Sequence, residues 1–221
     1  IGLALTLSGF LLFLAWRGLA ACRLELFFGA TPPWAALTGQ APVWDGLWPA
    51  CVGTLLLVIL TSTIAIPIGI SAGIYLVVYA SQKSRRIYGF LVDLLAGMPS
   101  VLLGLFGFAL ILWLRQTLAP RANTGLLLAA GCLALLVLPY LVVATRTALA
   151  SRPPTLWLTG ASLGLTPWQN LTRILVPLAT PGIFSGVILA VARAAEDTAV
   201  ILLTGVVANA GLPRSWTDRF E

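Results

Sequence analysis

The stretch Cys51 to Ala80, CVGTLLLVILTSTIAIPIGISAGIYLVVYA, runs for thirty residues without one aspartate, glutamate, lysine or arginine. A helix of about 20 apolar residues crosses the roughly 30 Å hydrocarbon layer of a bilayer. This run can therefore span a membrane with turns to spare. Together with Ala50 it forms the second of five apolar runs, the others being Ile1 to Trp16, Phe90 to Leu114, Gly125 to Leu149 and Pro181 to Val207. The expected fold class is all-α: a polytopic integral membrane protein in which residues 1–221 form one transmembrane domain of about five spans. The first run has no charged segment before it and no small-residue cleavage site, so it reads as a clipped first helix and not as a signal peptide.

Composition agrees and excludes much else. Of 221 residues, 59% are hydrophobic and 9% charged, with a mean hydropathy of +1.00, where ordinary globular chains carry about 25% charged residues. The chain has no histidine, which removes His-based triads, His-ligated metals and histidine pH switches. Cys22, Cys51 and Cys132 are far apart and odd in number, so they read as small packing residues and not as a metal or redox pair. Lys83 is the only lysine and has no glycine-rich run before it. Without the loop that cradles ATP phosphates, any ATP hydrolysis belongs to another chain. The net charge of +6 is spread singly between apolar runs and forms no stripe for nucleic acid.

The polar stretches give the organisation. Arg17 to Pro49 carries prolines with Trp34, Trp44 and Trp48, and tryptophan collects at membrane interfaces. Residues 150–180 form a long loop in which Leu156, Leu158, Leu163 and Leu165 are interleaved with Thr and Ser between flanking prolines. Short amphipathic helices lying against a partner are expected there. Lys83, Arg85, Arg86, Arg146, Arg152 and Arg173 fall on one side of the membrane, and Arg17, Arg23, Arg115, Arg121, Arg214 and Arg219 on the other. The count that sets topology is tied, and only local density favours the first set as cytoplasmic.

The fifth run, PGIFSGVILAVARAAEDTAVILLTG, holds Arg193, Glu196 and Asp197 near its middle. A charge there costs about 2.5 to 3.5 kcal/mol on insertion scales, so three cannot simply face lipid. At helical spacing they share about 100° of arc, next to Gly182, Gly186 and Ala190, a small-residue row suited to close helix packing. In the third run Asp93, Gly97, Ser100, Gly104 and Gly107 share about 80° if the helix is continuous. Met98 and Pro99 interrupt it, and a break in a membrane is tolerated only around a cavity or against protein. Pro67 and Pro139 predict kinks in the second and fourth spans, with a gating hinge as the alternative. Two accounts of the charges stand side by side: an internal ion-pair cluster holding helices together, or an anion pathway lined by Arg193 and tuned by the carboxylates. Arginine offers an oxyanion a planar fork of donors.

Residues 158–199, LTGASLGLTPWQNLTRILVPLATPGIFSGVILAVARAAEDTA, resemble the EAA loop and following helix of permease subunits of binding-protein-dependent ABC importers. Gly164 stands as the central glycine, with Pro177, Pro181 and Gly182 as the PxxxPG ending. AGMPSVLLGLFGFAL, residues 96–110, is similar to the GIPSxxxGLFG segment of phosphate-importer permeases, and CVGTLLLVILTSTIAIPIGISAGIYLVVYA to an early core helix, so the resemblance covers nearly the whole chain. It implies a type I ABC importer permease fold in the bacterial inner membrane. Residues 150–180 would be the cytoplasmic coupling loop, with Leu158, Thr159, Gly160, Ala161, Ser162, Gly164, Leu165, Thr166, Trp168 and Gln169 meeting an ATPase.

The same resemblance implies the substrate and partners. Arg193 matches the arginine of the phosphate branch, and Glu196, Asp197, Thr198 and Ala199 stand where GETA is usual. Sulfate and molybdate relatives read GEFG there. The implied substrate pathway comprises Arg193, Glu196, Asp197, Thr198, Asp93 and Ser100, and the packing positions are Gly97, Gly104, Gly107, Gly182, Gly186 and Ala190. The implied partners are a homologous permease, two ATPase subunits holding ATP and magnesium, an extracytoplasmic substrate-binding protein and membrane lipid, with no cofactor on this chain. Departures from the pattern are Leu158, Thr159 and Gly160 in place of the acidic residue and small pair of EAA, Glu196 in place of glycine, and a polar tail, LPRSWTDRFE, where a sixth span is expected. The alternatives left open are a permease for sulfate, molybdate or phosphonate, and a stand-alone channel or secondary transporter.

Overall fold

A computed structural model describes residues 2–19, 23–38, 43, 46–117, 124–153 and 155–205, with only the backbone of Trp157. The helices are α1 (Gly2–Leu19), α2 (Leu24–Phe28), α3 (Pro33–Leu37), α4 (Trp48–Val78), α5 (Gln82–Gly97), α6 (Ser100–Thr117), α7 (Leu126–Ala150), α8 (Thr155–Ser162), α9 (Pro167–Asn170), α10 (Val176–Glu196) and α11 (Ala199–Thr204). A π-helical turn, Leu171–Leu175, joins α9 to α10. No strand occurs among the described residues, and five segments are long and apolar enough to cross a membrane. The end of the expected fifth run and the LPRSWTDRFE tail lie outside the described residues, as does Cys22.

Two span boundaries differ from expectation, each for a backbone reason. The third span is not Phe90 to Leu114 but Ser100–Thr117. Pro99 has no N–H to continue the helix and holds Met98 extended, at φ −76° and ψ 133°, so α5 and α6 are separate helices. The fifth apolar helical segment is Pro167–Glu196: α9, the π turn and α10 run on without a gap, so it begins ahead of the part that lies along α7, which starts near Gly182, and it stops at Glu196, where Asp197 turns extended. The π turn has a local cause. Pro177 offers no N–H to the Arg173 carbonyl and its ring would crowd it, and the ladder widens so that Val176 N–H bonds Leu171 O five residues back.

α7 is the centre of the bundle and the most buried span. α4 lies along it through a row that recurs every four residues, Gly53, Leu57, Thr61, Ala65, Gly69 and Gly73, all buried. A Cβ on Gly69 would sit 2.5 Å from Leu141 Cβ, and one on Gly73 2.6 Å from Thr145 Cβ. Lipid is as apolar as leucine, so helices in a bilayer gain from close backbone packing and not from burying apolar surface. The two contacts advance together along both helices, which makes α4 and α7 parallel. α10 packs on another side of α7 with the opposite sense, Gly182 against Ala148 and Gly186 against Ala144. α11 and α6 close the far end: Gly104 is tight on Val200 and Leu203, Gly107 on Cys132 and Thr204, and Gly125 N–H bonds Thr204 O.

Because α4 and α7 are parallel, their C-terminal ends, the α4–α5 turn and α8 share one side. Arginine carries out the capping there. Arg85 donates from Nε to Leu76 O at 2.9 Å and from Nη2 to Val77 O at 3.0 Å, and Arg152 donates to Ala148 O. Both satisfy carbonyls that a helix end leaves open, at the negative end of its dipole. α1 buries none of its residues against the rest of the chain, so its leucines and phenylalanines face outward, as an apolar solvent permits.

Candidate functional site

The small-residue row of α10 determines where its charges lie. Gly182 meets Ala148 and Gly186 meets Ala144, so each step up α10 is a step down α7, and Arg193 comes level with Val137. Since α7 runs from Leu126 to Ala150, Arg193 stands within a residue of its midpoint, halfway across the span. There the helix ends, and the chain breaks at Asp197 and Thr198 before α11 begins.

The three charges take different parts at this break. Arg193 Nη1 donates to Glu196 Oε1 at 2.6 Å, and Nη2 lies 3.8 Å from Asp197 Oδ2. Asp197 is buried, with its side chain 3% exposed, and its Oδ1 accepts the Val200 N–H at 3.0 Å. Its carboxylate thus caps the start of α11, supplying an acceptor to one of the orphan donors of that helix. Arg193 and Glu196 stay 33% and 63% exposed. The expected arrangement of three charges inside one continuous helix is therefore replaced by a structural acid at a helix break with an open Arg–Glu pair beside it. An exposed pair at this depth cannot rest against hydrocarbon without a cost of several kcal/mol. Its open face needs water, substrate or another protein. Thr198 is exposed beside it.

Other sequence-derived residues fall into separate places. Asp93 is exposed on α5 and Ser100 half-buried at the start of α6, on either side of the Met98–Pro99 break, and no described hydrogen bond or ion pair joins either to Arg193. Gly104, Gly107, Gly186 and Ala190 are buried at helix contacts, and Gly182 is half-buried at one. Gly97 is the exception: a Cβ there meets nothing within 4 Å, because the chain turns away just after it. Tyr140 of α7 was not singled out from the sequence. It is half-buried, and the register that sets Gly186 against Ala144 brings it level with Ala190, one turn before Arg193. The signal that could have found it is the row Tyr140, Ala144, Ala148 at four-residue spacing.

The loop after α7 folds as a helix, a tight turn and a second helix start. α8 ends in a Schellman motif: Leu165 N–H bonds Gly160 O, Gly164 N–H bonds Ala161 O, and Gly164 takes φ +73°, the left-handed conformation that glycine adopts without strain. Thr166 and Gln169 then form a reciprocal capping box with Pro167 in the first turn of α9, a pattern readable as T-x-x-Q in the sequence. Gly160 sits directly on the Asn170 amide, leaving no room for a Cβ, so α8 folds back against α9. Leu158, Leu163 and Trp168 project outward and exposed from this elbow, with Ala161 and Ser162 between them.

Residues 65–219, well over half of the chain, match one protein family, described as "Binding-protein-dependent transport system inner membrane component". The chain belongs to this family. It is similar to the phosphate transport system permease protein PstA of Mycobacterium leprae (strain TN), 37% identical over 158 residues covering 72% of this chain and 50% of that protein. PstA of Pasteurella multocida (strain Pm70) is 34% identical over 191 residues, 86% of this chain and 64% of that protein. The phosphate transport system permease protein PstC of Mesorhizobium japonicum is 31% identical over 178 residues, 72% of this chain and 54% of that protein. The chain thus spans about half the length of its mycobacterial relative. Among solved structures it resembles a chain of the MetNI methionine ABC transporter in inward-facing conformations, with a TM-score of 0.58 at 20% identity over 67% of this chain and 71% of that one. The fold is that of an ABC importer permease, and this inner membrane component crosses the membrane several times.

Proposed function

We propose that this inner membrane component is the permease subunit of an ATP-driven importer of inorganic phosphate, the second of two unlike permeases. The observation that carries it is the Arg193–Glu196 pair, open at a helix break halfway across the membrane. The names of the relatives supply the substrate: PstA and PstC are phosphate transport permeases. Arg193 meets the anion with donors not used by Glu196. Glu196 holds the guanidinium in place and can accept the proton of monohydrogen phosphate, which fully ionised sulfate lacks. Asp197 keeps the break in shape, Thr198 lies beside the pair, and Asp93 with Ser100 at the second break extends the polar route toward the α8 side.

A homologous permease covers the open face of the pair, an extracytoplasmic binding protein delivers the anion, and two ATPase subunits with ATP and magnesium dock on the elbow. The apolar tips Leu158, Leu163 and Trp168, carried by Thr159 to Ser162 and by Gly164 to Gln169, give that elbow a surface to seat in a groove. Its tight turn and capping box transmit a push directly into the helix that bears Arg193. ATP-dependent phosphate uptake by the reconstituted complex, with sulfate as competitor, tests the substrate. Arg193→Gln is expected to abolish uptake while the complex still assembles, and undiminished uptake by that variant refutes the site.

A further inference from the structure

Along the α7–α10 contact, two small residues of each helix face one another in antiparallel register. Ala148 lies against Gly182 and Ala144 against Gly186. The next position on that row is Tyr140, and the same step brings Ala190 opposite it. Two small pairs hold the helices in close contact, and then a large phenol faces a methyl group that is almost wholly buried. Past Ala190 the same register leads to the next turn of α10. Arg193 stands there, three residues beyond Ala190. Tyr140 is half-buried, and its hydroxyl makes no hydrogen bond among the described residues. Arg193 Nε is buried with no acceptor among them. An uncommitted hydroxyl and an incompletely paired guanidinium thus lie at nearly one depth on facing helices, although polar groups at this depth ordinarily find partners.

We propose that Tyr140 is the second anion-contacting residue of the pathway, its phenolic hydroxyl donating a hydrogen bond to the oxyanion that Arg193 holds. The inference rests on the pathway role of Arg193 given above and deepens it. A phenol suits a tetrahedral oxyanion that still carries a proton, because one hydroxyl can donate to a charged oxygen or accept from the P–OH group. Carried on α7 while the arginine is carried on α10, it also makes the seat depend on how those two helices are set. The anion would be gripped in one arrangement and released when α10 moves.

The test compares Tyr140→Phe with Arg193→Gln in the complete reconstituted complex, measuring phosphate uptake and ATP hydrolysis in the same vesicles. Tyr140→Phe keeps the ring and its packing and removes only the hydroxyl. Loss of a hydrogen bond to a charged group should lower phosphate moved per ATP hydrolysed about tenfold, with hydrolysis and assembly within twofold of the wild type. If uptake and hydrolysis fall together, the residue acts through packing and the proposal is overturned. It is also overturned if Tyr140→Phe transports normally while Arg193→Gln is dead, and in that case the Arg193 site stands. If both variants transport normally, the Arg193 site itself is refuted.

Discussion

The close approach of α10 to α7 can be tested by moving one methyl group across the contact. Placing a Cβ on Gly182 sets it 2.7 Å from Ala148 Cβ, whereas carbon atoms rest about 3.5 to 4.0 Å apart. The helices must therefore part locally by about 0.8 to 1.3 Å in Gly182→Ala. Overpacking of this size costs about 1–3 kcal/mol, offset by about 0.5–1 kcal/mol because alanine is the better helix former. The single variant should be destabilised, by less than the contact alone costs. Ala148→Gly gives up a similar helix preference on α7 and opens the space. In the double variant Gly182→Ala, Ala148→Gly, the propensity terms cancel and the clash is gone, so a double-mutant cycle should return a coupling of about 1–3 kcal/mol in favour of the swapped pair. The assay is thermal unfolding of the purified complex in detergent, with phosphate uptake alongside. Gly182 stands eleven residues before Arg193, about 16 Å along the helix, so the single variant should also misplace the arginine and lose uptake that the swap restores. A coupling near zero refutes the antiparallel register, and with it the depth assigned to Arg193 and the placing of Tyr140.

Two further variants separate the parts of the site and of the elbow. Asp197→Asn keeps an acceptor for the Val200 N–H and should stay near wild-type stability, while Asp197→Ala leaves that buried donor open and should lose about 1–3 kcal/mol; equal stability of the two in unfolding assays rules out the capping role. Gly164→Ala forces a Cβ into a left-handed turn at about 1–2 kcal/mol, so it should lower copurification of the ATPase without lowering permease abundance. Unchanged copurification would separate the elbow from the coupling role.

Membrane residence was legible at once, because thirty uncharged residues in a row have few other solutions. The number of apolar helices and the small-residue row of α10 were also visible, since hydropathy and four-residue spacing are one-dimensional signals. The α4 row from Gly53 to Gly73 was equally available as spacing, and so was the T-x-x-Q box. Helix ends were less so. Pro99 announced a break in the third run, but nothing local announced one at Asp197, where the Val200 N–H meets a carboxylate and the helix yields to a cap.

The chain's composition and periodicity by themselves determined that it is a helical membrane protein and that Arg193, Glu196 and Asp197 need partners. They did so because the cost of charge in hydrocarbon and the 3.6-residue repeat act on any sequence, whatever its fold. Tertiary structure alone decided how those charges divide, one buried in a cap and two left open, and the level at which they stand beside α7. That level depends on register between α7 and α10, set by methyl groups meeting glycines across a contact. Residues more than thirty positions apart make that contact, so no local pattern records it.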